Sequence, residues 1–353
     1  MKQTVTTRNS AVELLRICAM LMIVLGHICH HSGFDRTYSI MTVNRLFTQF
    51  ADLGNLGVVV FVMISGYFHS GLRSRTLSRL LTQVWFYSVA LFLVFQFGFG
   101  HGYTARELKA VFMPTLYAEY WFFTAFFVLT LLTPFLNLLI HTMDRRQHRN
   151  LVVCMMVLWS MVPTLTGQTM YGDVFPQFLL YYMVGAWFRK YPDNPFREKA
   201  ILRWGLALGS MAALYILTVV LGYLERYTPE AFGASTQFYA RNSLLILSAA
   251  MGMLAIAAYT KPFTNRFINT IGGCTFGVYL IHDHPLVREL LWKDWLHWGH
   301  YFTSGSFIPR LIVSALLVFA VCTTIEWLRQ KTVAKPLENA LNRVLSRFLK
   351  LPE

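Results

Sequence analysis

The sequence predicts an all-α integral membrane protein with about ten transmembrane helices, cytoplasmic N- and C-termini and a C-terminal interfacial amphipathic helix. Three observations predict it. Hydrophobic residues make up 55% of the 353 residues and charged residues only 14%. Apolar runs of about 18 residues or more, the length that crosses a bilayer as a helix, recur along the chain. Lys and Arg are divided unequally between alternate loops.

The spans read roughly as 11–30, 52–70, 77–98, 119–141, 150–167, 173–189, 203–224, 240–260, 270–288 and 308–328. They leave no loop long enough to fold alone. Residues 1–353 are therefore expected to form a single membrane domain, with a transmembrane core at about 11–328 and a tail at 329–353. A net charge of +14 would suggest a nucleic-acid partner in a soluble chain, but its placement argues for topology. About 21 basic residues fall on the side of the termini, among them Lys2, Arg8, Arg145, Arg146, Arg149, Arg329 and Lys350. The other side has about eight: Arg36, Arg45, Arg106, Lys109, Arg226, Arg241, Arg288 and Lys293. Cytoplasmic loops gather Lys and Arg, which puts both termini in the cytoplasm, with a smaller contribution from anionic lipid headgroups.

The first span, ELLRICAMLMIVLGHICHH, carries Glu13, Arg16 and His27. At about 100° and 1.5 Å per residue, His27 returns almost to the Arg16 face about 16 Å further along, and Glu13 lies one turn before Arg16. Ionisable residues inside a bilayer are expensive and mark function by default, so this stripe is the leading functional candidate. Glu13 is the expected ion-pair partner of Arg16. Because Glu13 and Arg16 interrupt the apolar run and no small-residue cleavage pattern follows, the segment is not read as a signal peptide.

The second span, NLGVVVFVMISGYF, holds Gly57, Ser65 and Gly66. The glycines are expected to let helices approach closely. Ser65 lacks a G-x-S-x-G elbow and is not read as a nucleophile. Arg73, Arg75 and Arg79 follow on the cytoplasmic side. Arg binds phosphate bidentately and keeps its charge when partly buried, so a basic inner end suits a phosphate-bearing ligand. The fourth span enters from outside with Glu119, Tyr120 and Trp121, and the ninth brings Tyr279, His282, Asp283 and His284 to its outer half. With His27, His30 and His31 these make a histidine-rich outer end, and a histidine suits general-base work.

The outer loops at about 31–51, 98–118, 225–240 and 289–307 contain Tyr38, Tyr103, Tyr117, Tyr227, Trp295, Trp298 and Tyr301, as a membrane interface favours. The tail aligns Leu337, Leu341, Val344, Leu345 and Phe348 on one helical face and is expected to lie on the cytoplasmic leaflet. Cys18, Cys29, Cys154, Cys274 and Cys322 lack CxxC spacing and are expected to be buried thiols rather than disulfides or a zinc ribbon.

Four segments resemble the membrane-bound acyltransferase-3 family, which makes O-acyltransferases of surface or exported glycans. ELLRICAMLMIVLGH resembles its first helix, with the Arg/Lys-x10-His pattern on Arg16 and His27. GVVVFVMISGYF resembles its second, YWFFTAFFVLTLLTP, with Trp121 and Pro134, its Trp-Phe…Pro helix, and TFGVYLIH its late Tyr-Leu-x-His helix. The resemblance covers the whole chain in order, although the family's Arg-x-x-Arg element is represented here by Arg73-Ser-Arg75 and then Arg79. It implies transfer of an acyl group, most often acetyl, from cytoplasmic acyl-coenzyme A (acetyl-CoA) to a hydroxyl of a surface or exported glycan at the plasma membrane.

In that reaction His27 would serve as general base or accept the acyl group transiently, assisted by Arg16 and Glu13. Arg16, Arg73, Arg75 and Arg79 would hold the coenzyme. Glu119, Trp121, Tyr279 and His282 would bind the acceptor or orient His27. A transporter or exporter is the alternative that an ionisable stripe also allows, but no internal repeat or paired broken helices support it. A haem or metal protein built on His27, His30, His31, His282 and His284 finds no second histidine pair at the right depth, so no metal cofactor is expected.

Overall fold

The computed structural model describes residues 9–33, 42–69, 71–224, 227–228, 234–296 and 301–348. Lys2, Arg8, Arg36, Tyr38, Arg226, Trp298, Lys350 and the side chain of Phe348 lie outside what is described. Every regular element is helical, with no strand among the described residues. The chain runs through α1 (Ser10–His31), α2 (Val43–Ala51), α3 (Gly54–Tyr67), α4 (Ser74–Leu93), α5 (Ala105–Phe112), α6 (Trp121–Thr142), α7 (Arg145–Met156) and α8 (Val162–Thr166). It continues through α9 (Val174–Lys190), α10 (Pro195–Glu198), α11 (Ala200–Leu224), α12 (Leu244–Tyr259), α13 (Arg266–His282), α14 (Pro285–Glu289), α15 (Phe307–Thr332) and α16 (Ala334–Phe348).

Eight helical runs among the described residues are long and apolar enough to cross a membrane. Each coincides with an expected span. The two remaining expected spans are α9 and α13, of 17 residues each. At 1.5 Å per residue each is about 26 Å long, at the short end of what spans hydrocarbon. The outward faces of the peripheral helices carry exposed Phe135, Leu138, Ile201, Leu208 and Leu317, as lipid requires.

Helix starts follow local chemistry. Asn9 caps α1 by accepting from the Ala11 amide, and Asn265 caps α13 by accepting from Phe267 and Ile268. The two starts are tied together, since Ser10 Oγ donates to Asn269 Oδ1 at 2.7 Å. Thr104 with Glu107 and Asp144 with Gln147 form capping boxes for α5 and α7.

The core is α1, α3, α9, α12 and α13. As the sequence predicts, Gly57 and Gly66 are points of close approach: a Cβ on Gly57 would strike the Ala19 carbonyl of α1, and one on Gly66 the Tyr182 carbonyl of α9. This packing brings α1 to the centre of the bundle, against α3, α12, α13 and α15.

Several expectations are corrected. The stretches read as outer loops contain the helices α2 and α5, and Arg45, counted as a loop cation, is buried in α2. All five cysteines are free thiols, but Cys18 and Cys154 are exposed, because they face outward from α1 and α7. Arg329 does not belong to the tail. α15 extends to Thr332, and Arg329 is buried there against Glu326, with Nε to Oε2 at 2.8 Å and Nη2 to Oε1 at 2.9 Å. Tyr87 of α4 donates to the same Glu326 at 2.7 Å, and Gln330 bridges Glu326 to the Gly273 carbonyl of α13. The tail does form a helix, α16, which packs along α4 and leaves Leu337 and Val344 exposed.

Glu326→Ala removes the partner of a buried guanidinium and is expected to cost about 3 kcal/mol or more. Thermal unfolding in detergent measures it, and an unchanged midpoint would contradict the ion pair's role. The double variant Glu326→Met with Arg329→Met, which buries no charge, should recover most of the loss.

Candidate functional site

Two cavities meet at His27. The inner one, of about 230 Å³, runs between α1, α3, α4, α6 and α13, with Arg16 and Arg79 at one end and His27 and Trp121 at the other. Its middle is apolar, walled by Met20, Ile23, Phe61 and Phe126, with Ser65, Gln83 and Tyr279 also on the wall. The outer cavity, of about 610 Å³, is polar and includes Gln49, Asp52, Asn55, Arg241, Asp283 and Arg288. His27, Val58 and Trp121 line both.

The stripe of the first span is thus real: Arg16 and His27 open onto one cavity. Arg16 Nη1 meets Glu13 Oε1 at 3.1 Å, as expected, and the guanidinium lies 5.8 Å from the Phe68 ring. Glu13 is buried behind Arg16 rather than in the cavity. A Cβ on Gly272 of α13 would overlap it, so that glycine lets α13 close over the pair.

His27 is held by the end of α13. Its Nδ1 lies 3.0 Å from His282 Nε2, and His282 Nδ1 lies 2.6 Å from the Val278 carbonyl. A carbonyl only accepts, so His282 Nδ1 carries its proton. The Nε2 of neutral His282 then accepts, and His27 Nδ1–H donates to it. The unprotonated nitrogen of His27 is therefore Nε2. Asp283 Oδ1 lies 3.4 Å from the same Nδ1 and 3.4 Å from Arg288 Nη1. Backbone carbonyl, histidine and carboxylate thus orient the ring as outer partners orient a catalytic histidine.

The other sequence candidates divide. Trp121 stands at the junction of the cavities, with the Arg241 guanidinium 4.8 Å from its ring centroid. Tyr279 lines the inner cavity. His282 is fully buried, lines neither cavity and meets His27. Arg73 precedes α4 while Arg75 and Arg79 lie in its first two turns; of the three, Arg79 reaches the cavity, and it also lines a larger groove of about 1120 Å³ bordered by Arg266 and Lys331. Arg73 and Arg75 line neither.

Glu119 lines neither cavity and is held by other polar groups. Ser88 Oγ donates to Oε2 at 2.7 Å, and His284 Nε2 lies 3.4 Å from Oε1. Sequence reasoning passed over Asp283, Arg288 and Arg241 as site residues. The His282-Asp283-His284 run at the end of an apolar span was the available signal for the first of these.

The chain belongs to the acyltransferase-3 family: the family model described as an acyltransferase domain matches residues 9–327. It is accordingly an acyltransferase with multiple membrane-crossing helices. No curated protein and no solved structure matches it.

The hydrogen-bond chain predicts one tautomer. In protein carrying ¹⁵N-labelled histidine, His27 should show a protonated Nδ1 and an unprotonated Nε2. The reverse pattern, with the proton on Nε2, would break the chain as drawn.

Proposed function

We propose that this protein transfers an acyl group, most simply acetyl, from cytoplasmic acyl-CoA to a hydroxyl of a surface or exported glycan. The observation that carries the reading is the position of His27, shared by an inner cavity with a basic entrance and a polar outer cavity. In this reading about ten helices cross the plasma membrane as a single domain, with both termini in the cytoplasm. The unequal division of Lys and Arg between alternate loops supports that orientation.

The donor enters from the basic side. Arg16 and Arg79 bind its polar part, by charge-assisted hydrogen bonds that are shorter and stronger than neutral ones. The slender apolar passage past Met20, Ile23, Phe61 and Phe126 takes the thioester arm. Arg73 and Arg75 add only long-range attraction for anions.

The acceptor occupies the outer cavity, its ring against Trp121. His27 Nε2 removes the proton of the acceptor hydroxyl as the oxygen attacks the thioester carbonyl. The carbon–sulfur bond then breaks, and the thiolate leaves with the proton that His27 returns. Through that step the imidazolium is stabilised by Asp283 and oriented by His282, both acting as positioning residues. Tyr279 packs beside the reacting end of the passage.

His27→Ala should abolish transfer from acyl-CoA to glycan, while the protein still inserts and elutes as the wild type does. Retention of wild-type transfer would sink the mechanism. Arg79→Ala should raise the donor KM roughly tenfold, the loss of one charge-assisted contact. Arg73→Ala and Arg75→Ala, at positions that line neither cavity, should stay within about twofold. Equal effects at all three positions would contradict the assignment of Arg79 alone to the passage.

A further inference from the structure

The outer end of α1 holds a group that the reaction above does not use. His31 lies four residues after His27, on the same helical face, and their ring centroids are 5.4 Å apart. One ligand atom from each of His27, His31 and Asp283 lies within 4.8 Å of the others. Two histidines at i and i+4 on one helix are a common zinc-binding pair, and a carboxylate is a common third ligand.

The distances suit that ion. With ligands about 2.0–2.1 Å from zinc, two of them on a tetrahedron stand about 3.3 Å apart. His27 Nδ1 and Asp283 Oδ1 are 3.4 Å apart. Bringing His31 to the same spacing requires a closure of at most about 1.5 Å, within reach of a side-chain rotation at a half-buried histidine. We infer that His27, His31 and Asp283 form a transition-metal site, selective for Zn²⁺, whose occupation switches off the base of the acyltransferase.

Chemistry explains the switch. Zinc binds a lone pair, so it displaces the proton from His27 Nδ1, and the neutral ring then carries its single proton on Nε2. The nitrogen that faces the substrates is left with no lone pair to accept a hydroxyl proton. Two neighbours moderate the affinity: Arg288 competes for Asp283 at 3.4 Å, and His282 loses the donor it has at 3.0 Å. Binding should therefore be weaker than at a dedicated structural zinc site. Two imidazoles select zinc over magnesium, which prefers an all-oxygen shell.

The inhibition rests on the proposed function, whereas metal binding does not. The experiment uses the full chain in detergent micelles and titrates it with zinc chloride, reading bound metal against a fluorescent chelator and acyl transfer in parallel. One Zn²⁺ per chain and loss of transfer are expected, with no effect of equimolar Mg²⁺. His31→Ala should keep metal-free transfer within about threefold and raise the half-inhibiting Zn²⁺ concentration at least about tenfold. His31→Cys, which restores a ligand, should bring inhibition back.

No bound zinc in the wild type, equal inhibition by Mg²⁺, or undiminished zinc inhibition in His31→Ala would each overturn the inference. Stoichiometric zinc binding that depends on His31, in a protein that transfers no acyl group, would uphold the site and reject the function.

Discussion

Hydrocarbon offers a charged side chain no partner, so the ionisable groups inside this bundle are drawn to partners in the protein. That constraint explains where the helices lie. Glu13 and Arg16 pair on α1 and are sealed by the bare Gly272 of α13. Glu326 and Arg329 pair on α15 and draw in Tyr87 from α4 and Gln330. His27 finds His282, whose other nitrogen finds a carbonyl one turn back on α13. Ser10, Glu13 and His27 of α1 thus each meet α13, and the cavity lies at the seam of the two helices.

Close approach supplies the complementary condition. Glycines at the α1–α3 and α3–α9 crossings bring backbones together where a methyl group would intrude. With the core tight on that side, the inner cavity opens along the seam of α1, α3, α4, α6 and α13. This cavity has aliphatic and aromatic walls and a volume of about 230 Å³, and at His27 it meets the polar outer cavity of about 610 Å³.

Much of this was legible in the sequence because helical geometry is local. Eleven residues on a regular helix return a side chain to its face, so Arg16 and His27 could be assigned to one stripe before any packing was known. Arg79 differs from Arg75 by one turn of depth, a distinction that only the end of α4 against its neighbours resolves. Glu119 had the right depth but was claimed by Ser88 and His284, partners 31 residues before and 165 after it. Asp283 was legible as a polar residue at a helix end. Its place beside His27 depends on how α13 packs against α1, which no periodicity encodes.

A site divided in this way has an energetic rationale under the proposed reaction. Carrying a phosphate-bearing donor across the membrane would bury several charges, each costing several kcal/mol even after relaxation. Leaving those charges at Arg16 and Arg79 and passing only the thioester inward avoids that cost. The transferred group is then small and uncharged when it meets the acceptor. The remaining polar demand is a single proton, and His27 handles it without bringing a permanent charge into the passage. A neutral imidazole, locked in one tautomer by a neighbour that is itself locked by the backbone, satisfies both sides of the seam. It is a base towards the substrates and a hydrogen-bond donor towards the protein, and this second role is what keeps the first correctly aimed.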